Sequence, residues 1–442
     1  QGYGTLVTKI IFKKYNFTIS ETGFFGFFLL LIISLSFHFF LPLSNIINSI
    51  ILLIGTIIFF YFKKNILIKY IKNFLPLIFF LSLLTISLKY HSDYFWYHLP
   101  YINILNQYKI IFGLSNLNDF YAYGHGWLDI MALFTLPYFD NKFSSLISII
   151  FLSFFIFYLI DNFFNTKSEI LKVFCLLSIT FLFLQYPLIK DYGAEIHINL
   201  IYILIFINIF KFQKNLGNKE STFTLIIFLF VFLFFLRLNS IIFFPLIFLF
   251  IIYNLKYFLN YIYTNKTIFS FYLFSIFVLI LKNFIISGCL AYPIYFTCFD
   301  NISWGVGIGH AYERYIMLSA QSKSYLLYIV KELEYLSIYD FYKYGKSTNF
   351  ISPSDYLHDG FSWINYWIKY EHDKSRLINI IIFLLIILIL TKLINYKNFD
   401  YYESLQVLKR EKFLISIHFF PIISYFYLLP QGRYGGFSII YV

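Results

Sequence analysis

The chain has 442 residues, of which 60% are hydrophobic and only 13% charged, with a mean hydropathy of +0.73. That excess is too large for a soluble core, and at about 20 residues per crossing it suffices for an all-α, polytopic bundle of about ten to twelve spans. The net charge of +12 would suggest a nucleic-acid binder in a soluble protein, but these lysines form no continuous stripe and fall in short blocks between apolar runs, as cytoplasmic loops do.

The chain opens on QGYGTLVTKIIF, without a recognisable signal peptide, and closes on GGFSIIYV; both ends read as parts of a longer protein. Apolar runs at 23–43 and 46–62 predict a helical hairpin joined by LPLSN. Lys63, Lys64, Lys69 and Lys72 mark a cytoplasmic loop, so the run 74–88 must exit on the far side. It delivers a first large outer loop, 89–143, whose segment Lys89–Trp127 gathers His91, Asp93, His98, Asp119 and His125. Acids and imidazoles are costly at bilayer depth, so a loop that collects them at a helix exit is the natural place to look for function.

The apolar piece WLDIMALFTLPYF, 127–139, is short for a span, carries Asp129 and ends near Pro137. Counting it as a crossing would put the lysines at 211–219 outside, so it is expected to be a re-entrant or surface-lying helix; a true crossing stays open as the alternative. A span at 144–160 follows, with Asn162–Lys172 inside and Lys190 and Asp191 outside. Runs at 195–210, 223–236, 241–254, 267–287, 377–396 and 413–429 then alternate, with lysine blocks at 211–219 and 392–412 inside. Between 288 and 375 lies a second large outer-side region, too long for a simple connector. No internal repeat, Gly/Ser linker or low-complexity tail divides the chain, which reads as one transmembrane domain.

The three cysteines lack metal-ligand spacing and suggest no disulfide framework, although Cys289 and Cys298 can pair if their loop is extracytoplasmic. Heavy use of Phe, Tyr, Ile, Asn and Lys reads as the codon bias of an AT-rich bacterial genome. Aromatic richness is therefore weak evidence for sugar stacking.

This topology sorts the polar residues to one face. Asp93 is the candidate general base, a carboxylate near the membrane with histidines beside it; helix capping is the alternative role. Arg237, in FFLRLNSIIFF, can clamp a phosphate bidentately or simply snorkel, and Arg433, in LLPQGRYGG, can do the same work from another helix. Lys282 is a third candidate cation. Asp191 and Glu195, spaced i, i+4 beside His197, could hold a divalent metal, but a solvated helix start is the more economical reading. GVGIGH at 305–310 follows no strand and does not match the dinucleotide fingerprint.

The order of these features resembles the GT-C superfamily of membrane glycosyltransferases. An early span leads to an outer loop with an acid and DYFWYHLPY, then GLSNLN and GHGW before a short apolar helix, and later ISGCLAYP, an SGxxxYP-like turn formed by Ser287, Gly288, Tyr292 and Pro293. The resemblance implies inverting transfer of a sugar from a polyprenyl-phosphate donor to a glycan, lipid or protein acceptor, at the periplasmic face of a bacterial inner membrane. Under it Asp93 is the catalytic base or a metal-binding partner, His98 orients it, and Asp191 assists. Arg237, Arg433 and Lys282 bind the donor phosphate, and His125, Trp127 and His310 are candidates for contacting acceptor or sugar. Asp93 is followed by Tyr94 where the commoner pattern has a second acid, so no cofactor is implied with certainty and a divalent metal remains only possible. A transporter or flippase of lipid-linked glycans is the rival expectation, and a structural subunit of a membrane complex a weaker third.

Overall fold

The computed structural model describes residues 1–63, 67–86, 93–124, 126–138, 146–185, 189, 193–237, 240, 243–323, 325, 352–358 and 363–365. It is an all-α helical bundle. Six of its described helices are long and apolar enough to cross a membrane, or seven if one broken pair counts as a span.

The chain divides into two compact units. The first comprises 1–241, 251–292 and 297–306. It opens with α1 (Gly2–Ile10), α2 (Ile19–His38), α3 (Asn45–Lys63) and α4 (Leu67–Ile86). A π-helical turn, Tyr94–His98, leads directly into α5 (Leu99–Gln107), and α6 (Gly126–Ala132) precedes α7 (Leu146–Asn165) and α8 (Glu169–Gln185). Next come α9 (Glu195–Gln213), α10 (Lys219–Leu236), α11 (Phe244–Tyr253), α12 (Leu255–Thr264) and α13 (Lys266–Ser287). Most of α11 belongs to the second unit, which also holds α14 (Gly307–Ser322) and α15 (Pro353–His358).

Local chemistry sets the helix ends. Thr18 and Glu21 form a reciprocal capping box that starts α2, and the Asn218 side chain accepts from the Glu220 and Ser221 amides to start α10. Gly288 ends α13 in the left-handed region, φ +73°, a conformation that side chains disfavour. Along α3, Ile46, Ile50, Leu53 and Ile57 are exposed at helical spacing; this apolar stripe, uncovered by protein, is suited to lipid. In contrast α9 buries every residue from Ile196 to Phe210, and lies at the centre of the unit.

The two ends of this first unit differ chemically. At one end Tyr15 donates to Asn265, Lys14 reaches the Thr264 carbonyl, and Lys211 lies over the Tyr158 ring. At the other, hereafter the polar end, the finish of α2 and the starts of α3 and α9 meet the ends of α10 and α13 around α5 and α6. Leu43 donates to the Leu105 carbonyl, and the Asn48 side-chain amide donates to the carbonyls of Leu43, Ala132 and Thr135.

The short helix α6 has seven residues, all buried, so at about 1.5 Å per residue it is only about 10 Å long and cannot cross a hydrocarbon layer about 30 Å thick. It is therefore embedded in the bundle, not laid on its surface. Its approach to α10 demands a glycine, because a Cβ on Gly126 would stand 2.2 Å from the Phe235 carbonyl oxygen.

In the second unit, Tyr356 of α15 donates to the Lys323 carbonyl at 2.9 Å, and its ring lies 5.2 Å from that of Tyr325. The expected spans at 377–396 and 413–429 lie outside the described residues.

Candidate functional site

Asp93 stands half-buried where the π-helical turn begins, and its carboxylate caps none of that turn's amides. Tyr97, one turn on, donates its hydroxyl to Asp93 Oδ2 at 3.4 Å. The wider i to i+5 winding is often found at functional positions. His98, the last residue of the turn, is buried.

From Tyr97 a row of rings leads away. Tyr97 stacks on Phe120 at 4.7 Å, Phe120 meets Tyr123 edge-on at 5.4 Å, and Tyr123 stacks on Tyr292 at 5.7 Å. Tyr292 is fully buried and donates to Asp119 Oδ1 at 2.9 Å. Three stretches that stand out in the sequence, DYFWYHLPY, NDFYAYGHGW and ISGCLAYP, therefore meet in one acid and aromatic cluster.

The turn that carries Tyr292 is tied down on both sides. Cys289 and Cys298 form a disulfide, Leu290 donates to the Thr297 carbonyl, and Phe299 donates to that of Gly288. Gly113 and Ser115 donate to the carbonyls of Ile285 and Ile286, and Asn116 to that of Trp304.

A second cluster surrounds α6. Lys282 of α13 reaches both Asp129 oxygens, at 2.5 and 2.6 Å, with the two side chains 5% and 0% exposed. The Lys282 ammonium also lies 5.5 Å from the centre of the Tyr101 ring. Burial first, and then the Asp129 charge, push the Tyr101 hydroxyl up to about 12, with Lys282 acting in the opposite direction. Trp127, two residues before Asp129, stacks on His197 at 3.6 Å, and His197 Nδ1 lies 3.3 Å from the Gly193 carbonyl oxygen. At the end of α10, Arg237 is ion-paired with Glu195 at the start of α9.

Of the residues expected to form a site, Asp93, His98, Trp127, Arg237 and Lys282 are held by the segments packed at the polar end. His310 is exposed on α14 in the second unit. Asp191, His125 and Arg433 lie outside the described residues. Two expectations need correction. Trp127 presents no face to a sugar or acceptor, because it is fully buried with His197 against its ring. Lys282 is no open phosphate cation, because its charge is already satisfied by a buried carboxylate. The metal set proposed from Asp191, Glu195 and His197 includes an undescribed member, and among the described residues no three His, Cys, Asp or Glu side chains are grouped to hold a metal.

Sequence reasoning missed Asp129 and Glu195 as counter-ions and the Asp119 to Tyr292 link. A signal for the first existed. WLDIMALF and LILKNFII each carry one charge inside an apolar run, and charges so placed tend to pair with each other.

Residues 1–352 match a protein family described as "Domain of unknown function (DUF8201)". The chain belongs to this family. The DUF8201 match takes in α1 to α13 and both clusters at the polar end. Comparison with curated proteins found no match, and comparison with solved structures found none either.

Proposed function

We propose that this chain is a membrane glycosyltransferase that moves a sugar from a polyprenyl-phosphate donor to an acceptor at the polar end of the bundle. The observation that carries the proposal is the placement of Asp93. Its carboxylate is half-buried, hydrogen-bonded to Tyr97 and joined through stacked rings to the Asp119 and Tyr292 pair. A carboxylate so held keeps enough access to take a proton from an acceptor hydroxyl as the sugar's anomeric carbon is attacked. Arg237, planar and five-fold in its donors, is the cation suited to the departing polyprenyl phosphate. His98 orients the turn that carries Asp93.

The proposed setting is a bacterial cytoplasmic membrane with the polar end toward the periplasm. Two features support that side. The Cys289–Cys298 disulfide suits an oxidising compartment, and Lys211 of α9, Lys219 of α10 and Lys266 of α13 lie at the opposite end, as a cytoplasmic face requires.

The test is sugar transfer in lipid vesicles from radiolabelled polyprenyl-phosphate sugars. Asp93→Asn should lower turnover by about 100-fold or more while the protein remains inserted and folded. Unchanged turnover would remove Asp93 from the mechanism.

Two observations favour a second reading, a transporter of lipid-linked glycans. The apolar stretch α11 and α12 is interrupted at Asn254, and Asp129 with Lys282 forms a charge pair buried in the bundle; both are features of carriers. Movement of a labelled lipid-linked glycan between vesicle leaflets without covalent transfer would decide for it.

A further inference from the structure

Cys289 directly follows the glycine that ends α13, and Cys298 returns to it across a sequence separation of nine. The pair closes a turn in which Leu290 and Ala291 also contact Thr297. Inside that turn stands Tyr292, fully buried, its hydroxyl on Asp119 and its ring on Tyr123. From Tyr123 the rings of Phe120 and Tyr97 continue to the Asp93 carboxylate. Both sulfurs belong to buried residues, Cys289 at 0% and Cys298 at 6% exposure.

We propose that this disulfide is an assembly clamp for the Asp93 cluster: its oxidation sets Tyr292 on Asp119 as a positioning residue, and must occur before the turn is buried. The partner implied is a dithiol/disulfide oxidoreductase of the compartment that the polar end faces. One cysteine thiolate attacks the oxidant's disulfide to give a mixed disulfide and release one oxidant thiolate. The second cysteine thiolate then displaces the other oxidant sulfur, closing Cys289–Cys298. The chain loses two electrons and two protons, and the oxidant leaves as two thiols. Because the closed sulfurs are buried, the event acts once during assembly and not as a reversible switch. The part of this proposal that concerns transfer rests on Asp93 being the working carboxylate; the clamp itself does not.

Thiol counting tests the chemistry. Protein extracted from its native membrane, denatured without reductant and treated with a maleimide-polymer should gain one adduct, at Cys175, the remaining cysteine, which is free and buried; after reduction it should gain three. Extra adducts without reductant would overturn the proposal, as would ready reduction of the folded protein by dithiothreitol. Carbodiimide labelling of Asp93, read by peptide mass spectrometry, tests the positioning. Tyr292→Phe, which keeps the disulfide, and Cys289→Ser with Cys298→Ser should each raise the Asp93 labelling rate severalfold. Folded Tyr292→Phe protein with unchanged labelling would reduce the disulfide to a local staple and overturn the positioning role. If the oxidised wild-type protein shows the expected labelling yet transfers no sugar, the transferase reading fails and the clamp stands.

Discussion

Replacing Lys282 by methionine removes the cation from a carboxylate that has no exposure of its own. Asp129 is 0% exposed and the Lys282 side chain 5%, so neither charge can relax into water where it stands. Breaking a buried pair by deleting one partner costs about 3–5 kcal/mol, whereas replacing both charges by apolar side chains of similar volume is neutral or stabilising by about 1–4 kcal/mol. Burial already pushes the Asp129 carboxyl up, so in Lys282→Met the acid should take a proton and the loss should fall toward the lower figure, about 3 kcal/mol. The assay is reversible unfolding in mixed detergent micelles of wild type, Lys282→Met, Asp129→Leu and the double variant. The double variant should recover most of the loss, giving a coupling of about 2 kcal/mol or more. Additive effects, or a single-variant loss below about 1 kcal/mol, would refute the view that α6 and α13 are held together by a sealed ion pair.

Gly126→Ala pushes a methyl group into the Phe235 carbonyl oxygen, 2.2 Å from the added Cβ, and should cost about 1–3 kcal/mol in the same unfolding assay; wild-type stability would show that α6 and α10 do not approach so closely. Tyr101 should make stability fall with rising alkalinity. Its hydroxyl titrates near 12 when folded against a reference of 10.0, so the folded state holds the proton longer and loses its advantage as pH climbs from 10 to 12, by on the order of 2 kcal/mol. Tyr101→Phe should flatten the stability curve in that window, and an identical slope would contradict the burial of this hydroxyl. Glu195→Gln removes the carboxylate that Arg237 now holds and should lower the donor KM in the vesicle assay severalfold. A raised KM would mean that Glu195 itself assists donor binding.

The membrane-crossing part of the fold was legible because lipid imposes a simple rule on composition. Runs expected at 46–62, 195–210 and 267–287 became Asn45–Lys63, Glu195–Gln213 and Lys266–Ser287. Boundaries moved where polar residues joined helices. Lys69 and Lys72, read as a loop, fall within α4, and the long side chain of Lys72 lets its ammonium escape the apolar layer. Helix α12 was missed because Leu255–Thr264, with a lysine, three tyrosines and an asparagine after the break at Asn254, resembles a connector. The site was legible only as a list of polar residues near one face. Which of them pair is a matter of tertiary packing: Lys282 and Asp129 are 153 positions apart and Tyr292 and Asp119 are 173 apart, distances at which no periodicity carries information.

Burial also decides which of the expected phosphate cations can do that work. Arg237 and Lys282 are both engaged by carboxylates, so an incoming phosphate must displace an acid before it can be held. Displacement is feasible only if the freed acid has somewhere to go. The Glu195 side chain is 19% exposed, at the first turn of α9, and a modest rotation lets it regain water while the phosphate takes its hydrogen bonds. Asp129 is sealed on a helix with no exposed residue; separated from Lys282 it has no water to reach and must be protonated in place, at a cost of about 3 kcal/mol. The two cations therefore divide the labour. If Arg237 takes the donor phosphate as proposed, it trades one anion for another, while Lys282 keeps its buried acid and holds α6 against α13.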